Sequence, residues 1–253
     1  MTEPKIVVFD LETLWIPDQW LRQDRVFGMG NWPGRTMKAD INSIICFGYK
    51  IVGGESGVVS SWDFSNDVHD DSAVCSFAYD LLHDADAVVT HNGKRFDWKF
   101  LQTRLTVHGL PTLPKIAHID TCLLARRNLS LFSNRLKDLA ALLTPERKIK
   151  TGGDLWTKVF KGDKFAMKEM AEYCEQDVIA TEAVFQKLKH FAGNLPNRNL
   201  FTGGNNCPAC GSKKIEKHGT RATKTQLIQR YRCRECGTTC SGTKNNTMLR
   251  SVS

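Results

Sequence analysis

Lys5-Ile6-Val7-Val8-Phe9-Asp10-Leu11-Glu12-Thr13 is the stretch on which the reading of this 253-residue chain turns. The apolar, β-branched run from Lys5 to Phe9 ends in an acid, the pattern of a buried strand whose end carries polar chemistry. Asp10 and Glu12 stand two apart, so on a strand both side chains leave one face while Leu11 points the other way into packing. Side by side and unpaired, the two acids repel and one has to protonate unless a cation sits between them. Taken alone, such a strand end is only moderately specific.

Working outward, Ser43 to Val52 and Val58 to Phe64 read as further strands separated by Gly53-Gly54-Glu55-Ser56-Gly57, a hairpin signal. Asp71 to Leu82 has helical spacing, Ala87 to Thr90 is strand-like, Phe96 to Val107 reads as helix and Ile116 to Ile119 as strand. Arg135 to Leu143 and Asp154 to Phe160 read as short helices, and Phe165 to Phe191 as a long one. Three strands with a hairpin, then alternating helix and strand, make an α/β fold with a mixed sheet.

Two more segments carry polar chemistry. His91-Asn92-Gly93-Lys94-Arg95-Phe96-Asp97 follows an apolar strand and opens a helix; Asp97 by itself is equally a first-turn acid favoured by the helix dipole. Tyr173-Cys174-Glu175-Gln176-Asp177 puts Tyr173 and Asp177 one turn apart on one helix face. In order and rough spacing, Asp10, Glu12, Asp97 and a Tyr-x-x-x-Asp ending in Asp177 resemble the DEDD exonucleases in their tyrosine-bearing branch. Asn92 stands where that family's second motif has it, and Glu172 stands where the sister branch has a His. His91-Asn92-Gly93, Ile119-Asp120-Thr121, Asn134-Arg135-Leu136, Leu155-Trp156 and Tyr173 to Val178 resemble phage and bacterial predicted 3′–5′ exonucleases, across about residues 5 to 190. The resemblance implies a ribonuclease H-like mixed sheet flanked by helices.

Four carboxylates carry a formal −4 that two Mg²⁺ or Mn²⁺ ions would neutralise, and hard oxygen ligands suit those ions. The resemblance further implies that Asp10 bridges both ions, that Glu12 and Asp177 serve the attacking side, that Asp97 serves the leaving side, and that the Tyr173 hydroxyl orients the attacking water. His91, Lys94, Lys148, Lys150 and Lys161 lie where a phosphate contact is conceivable, but a strand-end His and solvated lysines are the commoner outcome. Asp120 reads as the cap of a following helix.

The charge is unevenly spread. Net charge is +8, yet from Asn194 to Ser253 eleven basic residues face two acidic ones, leaving the first 193 residues at −1. A basic tail on a near-neutral body points to a polyanion. Within it, Cys207-Pro208-Ala209-Cys210 and Cys233-Arg234-Glu235-Cys236, each followed by Gly, form two knuckles of a tetrahedral Cys₄ zinc site, with 22 residues between them. The tail, about residues 207 to 242, resembles the zinc ribbons at the front of insertion-sequence transposases. Cys240 takes a position more often aromatic there, as packing or a spare thiol. Lys213, Lys214, Arg230, Tyr231, Arg232 and Arg234 are candidate nucleic-acid contacts on the ribbon, alongside Asn92 and Lys94 near the carboxylates. Cys46, Cys75, Cys122 and Cys174 are scattered, and buried apolar use is their default.

The domains expected are an exonuclease over 1–193, a linker over 194–206, a ribbon over 207–242 and a flexible tail over 243–253. Between Leu14 and Asp40, Trp15, Trp20 and Trp32 interleave with Arg22, Arg25 and Arg35; stacking on bases is one reading and a docked loop the other. No run reaches the roughly 18 apolar residues a membrane span needs, and the amino terminus lacks the basic and apolar regions of a signal peptide. A cytoplasmic protein is expected, in the host cytoplasm if phage-encoded, acting on nucleic acid, DNA favoured over RNA, with a protein partner through the ribbon left open. Two rivals remain: an adaptor with an inactive nuclease domain, and a structure-selective endonuclease on the same fold.

Overall fold

A computed structural model describes residues 3–14, 42–224, 227–242 and, for the backbone, 249–251. The Trp- and Arg-rich segment, beyond Leu14 itself, lies outside them. Five strands form the first sheet: β1 (Ile6–Leu14), β2 (Ser43–Ile51), β3 (Ser56–Ser60), β4 (Ala87–Thr90) and β5 (Ala117–Asp120). Their order is β3-β2-β1-β4-β5, with β1 antiparallel to β2, β2 antiparallel to β3, and β4 parallel to both β1 and β5.

Alternation along β1 decides what each face does. Val7, Phe9 and Leu11 pack with Ile44 and Phe47 against α1 (Ser72–Leu82) and α2 (Asp97–Val107), through Val74, Ala78, Leu82, Phe100, Leu101 and Leu105. Ile6 and Val8 face the other side, towards Val178 and Phe185 of the long helix α6 (Lys164–Leu188). Between these elements come α3 (Thr121–Asn128), α4 (Leu136–Leu143) and α5 (Leu155–Phe160). By the same alternation, Asp10 and Glu12 leave β1 on the α6 face, and the register shifts just beyond Glu12.

Asp163 caps α6, its carboxylate accepting the N–H groups of Phe165 at 2.9 Å and Ala166 at 3.2 Å. Midway along, the helix passes over Gly48, which pairs with Asp10 across the sheet. A Cβ at Gly48 would lie 2.8 Å from Cys174 Sγ and 2.9 Å from the Cys174 carbonyl oxygen. Only glycine allows this approach, and it brings Tyr173 and Asp177 down towards β1.

Some boundaries differ from the sequence reading. The strand expected over Val58 to Phe64 starts at Ser56 and stops at Ser60, where the Asp63 carboxylate accepts the Ser60 N–H at 2.8 Å and turns the chain into a 3₁₀ turn. The long helix ends at Leu188 and passes into a 3₁₀ turn over Lys189–Phe191. Within 194–206, read as linker, lies the short helix α7 (Asn199–Thr202), tied down by reciprocal bonds between Asn199 and Asn206 at 2.9 Å.

The second sheet holds β6 (Ile215–Ala222), β7 (Leu227–Cys233), β8 (Thr239–Gly242) and β9 (Leu249–Ser251) in that order, all antiparallel. Strand β9 pairs with β8 from within the stretch read as a flexible tail. No described helix is long and apolar enough to cross a membrane.

Candidate active site

Three elements meet at the carboxylates. Strand β1 supplies Asp10 and Glu12, and α6 supplies Asp177; oxygens of the three lie within 4.8 Å of one another. Asp97, the first residue of α2, stands alongside and accepts the Leu11 N–H at 3.3 Å. The loop before it is tightly set: a Cβ at Gly93 would fall 2.5 Å from Thr90 Oγ1 and 2.8 Å from Asp97 Oδ2. Asp120 caps α3 through the Leu123 N–H at 3.1 Å, as its place in the sequence suggested, and also accepts the N–H groups of Asn92 at 3.0 Å and Lys94 at 3.2 Å. Asn92 adopts φ of 65°, a conformation Asn tolerates better than most residues, and its side chain is exposed.

Electrostatically the cluster is under-compensated, four acids facing one lysine. Burial pushes Asp10 well above the ordinary carboxylate range, and the charges of Asp97, Asp177 and Glu12 add to it. Burial, then Asp177, lifts Glu12 to about 8. Asp97 rises to about 7, again mainly through burial. Asp177 is raised by burial too, though Lys148 pulls it back. Its Oδ1 is buried and has no hydrogen-bond partner. Acids crowded and desolvated in this way ionise together only with cations present, so these residues fit divalent metal ligands.

One cation is already there. Lys148 Nζ lies 2.5 Å from Asp177 Oδ2 and 4.7 Å from the centre of the Tyr173 ring, and it shares hydrogen bonding with the Tyr173 hydroxyl. Burial disfavours its charge, but Asp177 outweighs that and holds its pKa above the usual lysine value. The sequence reading placed Lys148 on a solvated face; the structure puts it among the acids. What aims it is the segment after α4, where Gln176 Nε2 donates to the Arg147 carbonyl at 2.9 Å. Tyr173 is itself buried, packs edge-on against Trp156 at 6.1 Å and has a raised pKa, burial being the main cause. His91 bridges Thr121 Oγ1 at 2.9 Å and the Asn134 carbonyl at 3.1 Å, and burial lowers its pKa to about 4, which makes it a neutral structural pin.

At the edge of the second sheet, Cys207, Cys210, Cys233 and Cys236 bring their sulfurs within 4.8 Å of one another, with Cys207–Cys236 and Cys210–Cys233 both at 3.6 Å. Zinc–sulfur bonds of about 2.3 Å in a tetrahedron give sulfur separations of about 3.8 Å, so the set fits one Zn²⁺. The knuckles are closed by Gly211 and Gly237, both at positive φ, whose N–H groups donate to Cys207 and Cys233 carbonyls. Backbone N–H groups of Ala209 and Cys210 aim at Cys207 sulfur. Cys240 is fully buried, as are Cys46, Cys75 and Cys174 and, nearly so, Cys122.

The candidate contacts of the ribbon are dispersed. Alternation along β7 sends Arg230 and Arg232 to one face and Tyr231 to the other. Arg234 pairs with Glu216 at 2.5 Å and Lys214 with Glu235 at 2.9 Å, both exposed and thus weakly held. Lys213 and Lys94 are exposed.

No curated protein matches the chain. Among solved structures, it is similar to the family B DNA polymerase from the hyperthermophilic archaeon Pyrobaculum calidifontis, with a TM-score of 0.53 and 13% identity. That similarity takes in 89% of this chain and 32% of the polymerase, so the chain spans about a third of that protein's length. It is a likeness of fold. The family model described as RNase_H superfamily, RNase_H_2, matches residues 35–189, which include Asp97, Lys148, Tyr173 and Asp177 and begin after β1. Since the match covers well over half of a chain whose five-stranded mixed sheet is flanked by helices, the chain belongs to the RNase_H superfamily.

Proposed function

We propose that the chain is a two-metal-ion 3′–5′ exonuclease that hydrolyses nucleic-acid phosphodiesters, DNA in preference to RNA, with a zinc ribbon assisting binding. The observation that carries this reading is the convergence of Asp10, Glu12 and Asp177, with Asp97 beside them, in a buried cluster whose Asp177 Oδ1 has no partner. These four residues would hold two Mg²⁺ or Mn²⁺ ions, which when bound supply an activated water and charge stabilisation for the departing oxygen.

The remaining work falls to the chain's own groups. Tyr173 is a poor base, because its pKa is raised; its hydroxyl, fixed by Asp177 and Lys148, positions the attacking water instead. Lys148 neutralises Asp177 until metal arrives, and is then placed to hold a phosphate oxygen. Asn92 and Lys94 are exposed on the loop between β4 and α2 and would contact the substrate backbone. On the ribbon, the four cysteines would hold zinc, while Lys213, Lys214, Arg230, Arg232 and Arg234 offer phosphate contacts and Tyr231 an aromatic surface on the opposite face.

The test is an incubation of 5′-labelled single- and double-stranded DNA and RNA with Mg²⁺ or Mn²⁺, followed by product sizing. A ladder shortening from the 3′ end is expected on DNA. Cutting of a circular single strand would replace this with the endonuclease reading, and binding without hydrolysis would replace it with the adaptor.

A further inference from the structure

Beside the carboxylates opens a second feature, a groove of about 980 Å³ between the carboxyl-terminal part of α3 and the start of α4. Asn92 and Lys148 are part of its lining, and Lys148 in turn pairs with Asp177, so the groove borders the carboxylates. At its outer end stands Phe132, its side chain fully exposed on the loop before α4. An isolated exposed aromatic needs no explanation on a loose loop, but the two residues that follow Phe132 are fastened. The Asn134 carbonyl takes a bond from His91 at 3.1 Å, and Ser133 Oγ donates to Asp138 at 2.6 Å.

Arg126 and Arg135 flank the groove, both exposed, and no described carboxylate pairs with either guanidinium. Asn134 Oδ1, also in the lining, is buried and accepts no hydrogen bond. The groove thus combines an exposed aromatic face with two positive charges that no described carboxylate meets, and through Lys148 it borders the acids. Phosphates satisfy the arginines, and a base satisfies the ring.

We infer that this groove is the entry track for an unpaired nucleic-acid strand, whose base stacks on Phe132 and whose phosphates lie along Arg126 and Arg135 as its end reaches the carboxylates. Inside a duplex each base is stacked between its neighbours and its strand is held to its complement, so only an unpaired strand can lay an inner base on Phe132 and run its phosphates past both arginines, and the track favours single-stranded over blunt duplex substrate. The inference rests on the nuclease reading for what happens at the end of the track, but not for the track itself.

The experiment uses the full chain, wild type, F132A, and R126A/R135A. Binding of a fluorescein-labelled hexadeoxynucleotide is measured by anisotropy with Ca²⁺ in place of Mg²⁺. Hydrolysis of the same oligonucleotide and of thymidine 5′-(p-nitrophenyl phosphate), which has no second nucleotide to lay along the groove, is measured with Mg²⁺. Loss of one base–aromatic stack predicts about tenfold weaker binding and lower kcat/KM on the hexanucleotide for F132A. The small ester should be hydrolysed at the wild-type rate, and R126A/R135A should show a shallower salt dependence of binding. Unchanged hexanucleotide binding by F132A, or an equal loss on both substrates, overturns the track. Wild-type protein that hydrolyses neither substrate, but whose binding still depends on Phe132, removes the nuclease reading and leaves the track standing.

Discussion

Two clusters of buried acid in this molecule have opposite fates. Asp71, at the start of α1, is fully buried, yet every lone pair is spoken for: Arg104 donates from Nε at 2.8 Å and Nη2 at 2.7 Å, the Ile44 N–H at 2.8 Å, and His108 Nε2 lies at 2.5 Å. That carboxylate ties α1 and α2 to β2, with its charge cancelled from inside the chain. Around Asp10 the chain places several acids against one lysine, leaves Asp177 Oδ1 without a partner, and lets burial lift their pKa values. Proximity of acidic and thiol groups alone does not separate the two, since Asp71, Cys75 and His108 are also within ligand distance of one another. The difference lies in whether the fold supplies the counter-charge or leaves it to come from solution.

Substitutions can sharpen that contrast. Asp10→Ala should lower Mg²⁺-dependent hydrolysis by about a thousandfold or more, ~4 kcal/mol of barrier, with the melting temperature of the metal-free protein unchanged or higher. Arg104→Ala should do the reverse, costing about 3–5 kcal/mol in a urea titration by stranding Asp71, with no specific change in the Mg²⁺ concentration needed for half activity. A melting curve as stable as wild type for Arg104→Ala would break the comparison.

The pH response follows with its sign fixed. Glu12 has a folded pKa of about 8 against an ordinary 4.5, so unfolding releases its proton throughout that interval and stability falls as pH rises through it. Metal-free protein should therefore melt at progressively lower temperature from pH 5 to pH 8, Mg²⁺ should restore more at pH 8 than at pH 5, and Glu12→Gln should flatten both trends in differential scanning calorimetry. Tyr173→Phe keeps the ring against Trp156 and removes only the hydroxyl, so kcat should drop about ten- to a hundredfold with KM nearly constant. Smallest of all, Lys148→Met should lower activity severalfold while letting the site fill at lower Mg²⁺, read by titrating rate against metal.

Much of this was legible in the chain because it is encoded locally. Period-two alternation put Asp10 and Glu12 on one face, an apolar tetrapeptide placed β4, and the Tyr173–Asp177 spacing set one turn of α6. The cysteine knuckles are local in the same sense, two short turns each closed by a glycine. What escaped was long-range. Lys148 lies in a segment without helical or strand periodicity, and nothing near it in sequence says that it will meet Asp177. Asp71 and Arg104 find each other across 33 positions. Phe132 would pass as an ordinary core aromatic until its loop is seen to turn it outward. The helix α3 announced itself only through its cap, Asp120.

Gly48 has one more implication. Because Cys174 of the long helix rests there on bare main chain, the gap between the two halves of the acidic cluster is gauged by that close approach, with no side chain on the strand available for adjustment. Mutational drift elsewhere in the sheet can reshape the surroundings, but the spacing of the acids is set at a position with nothing left to trim.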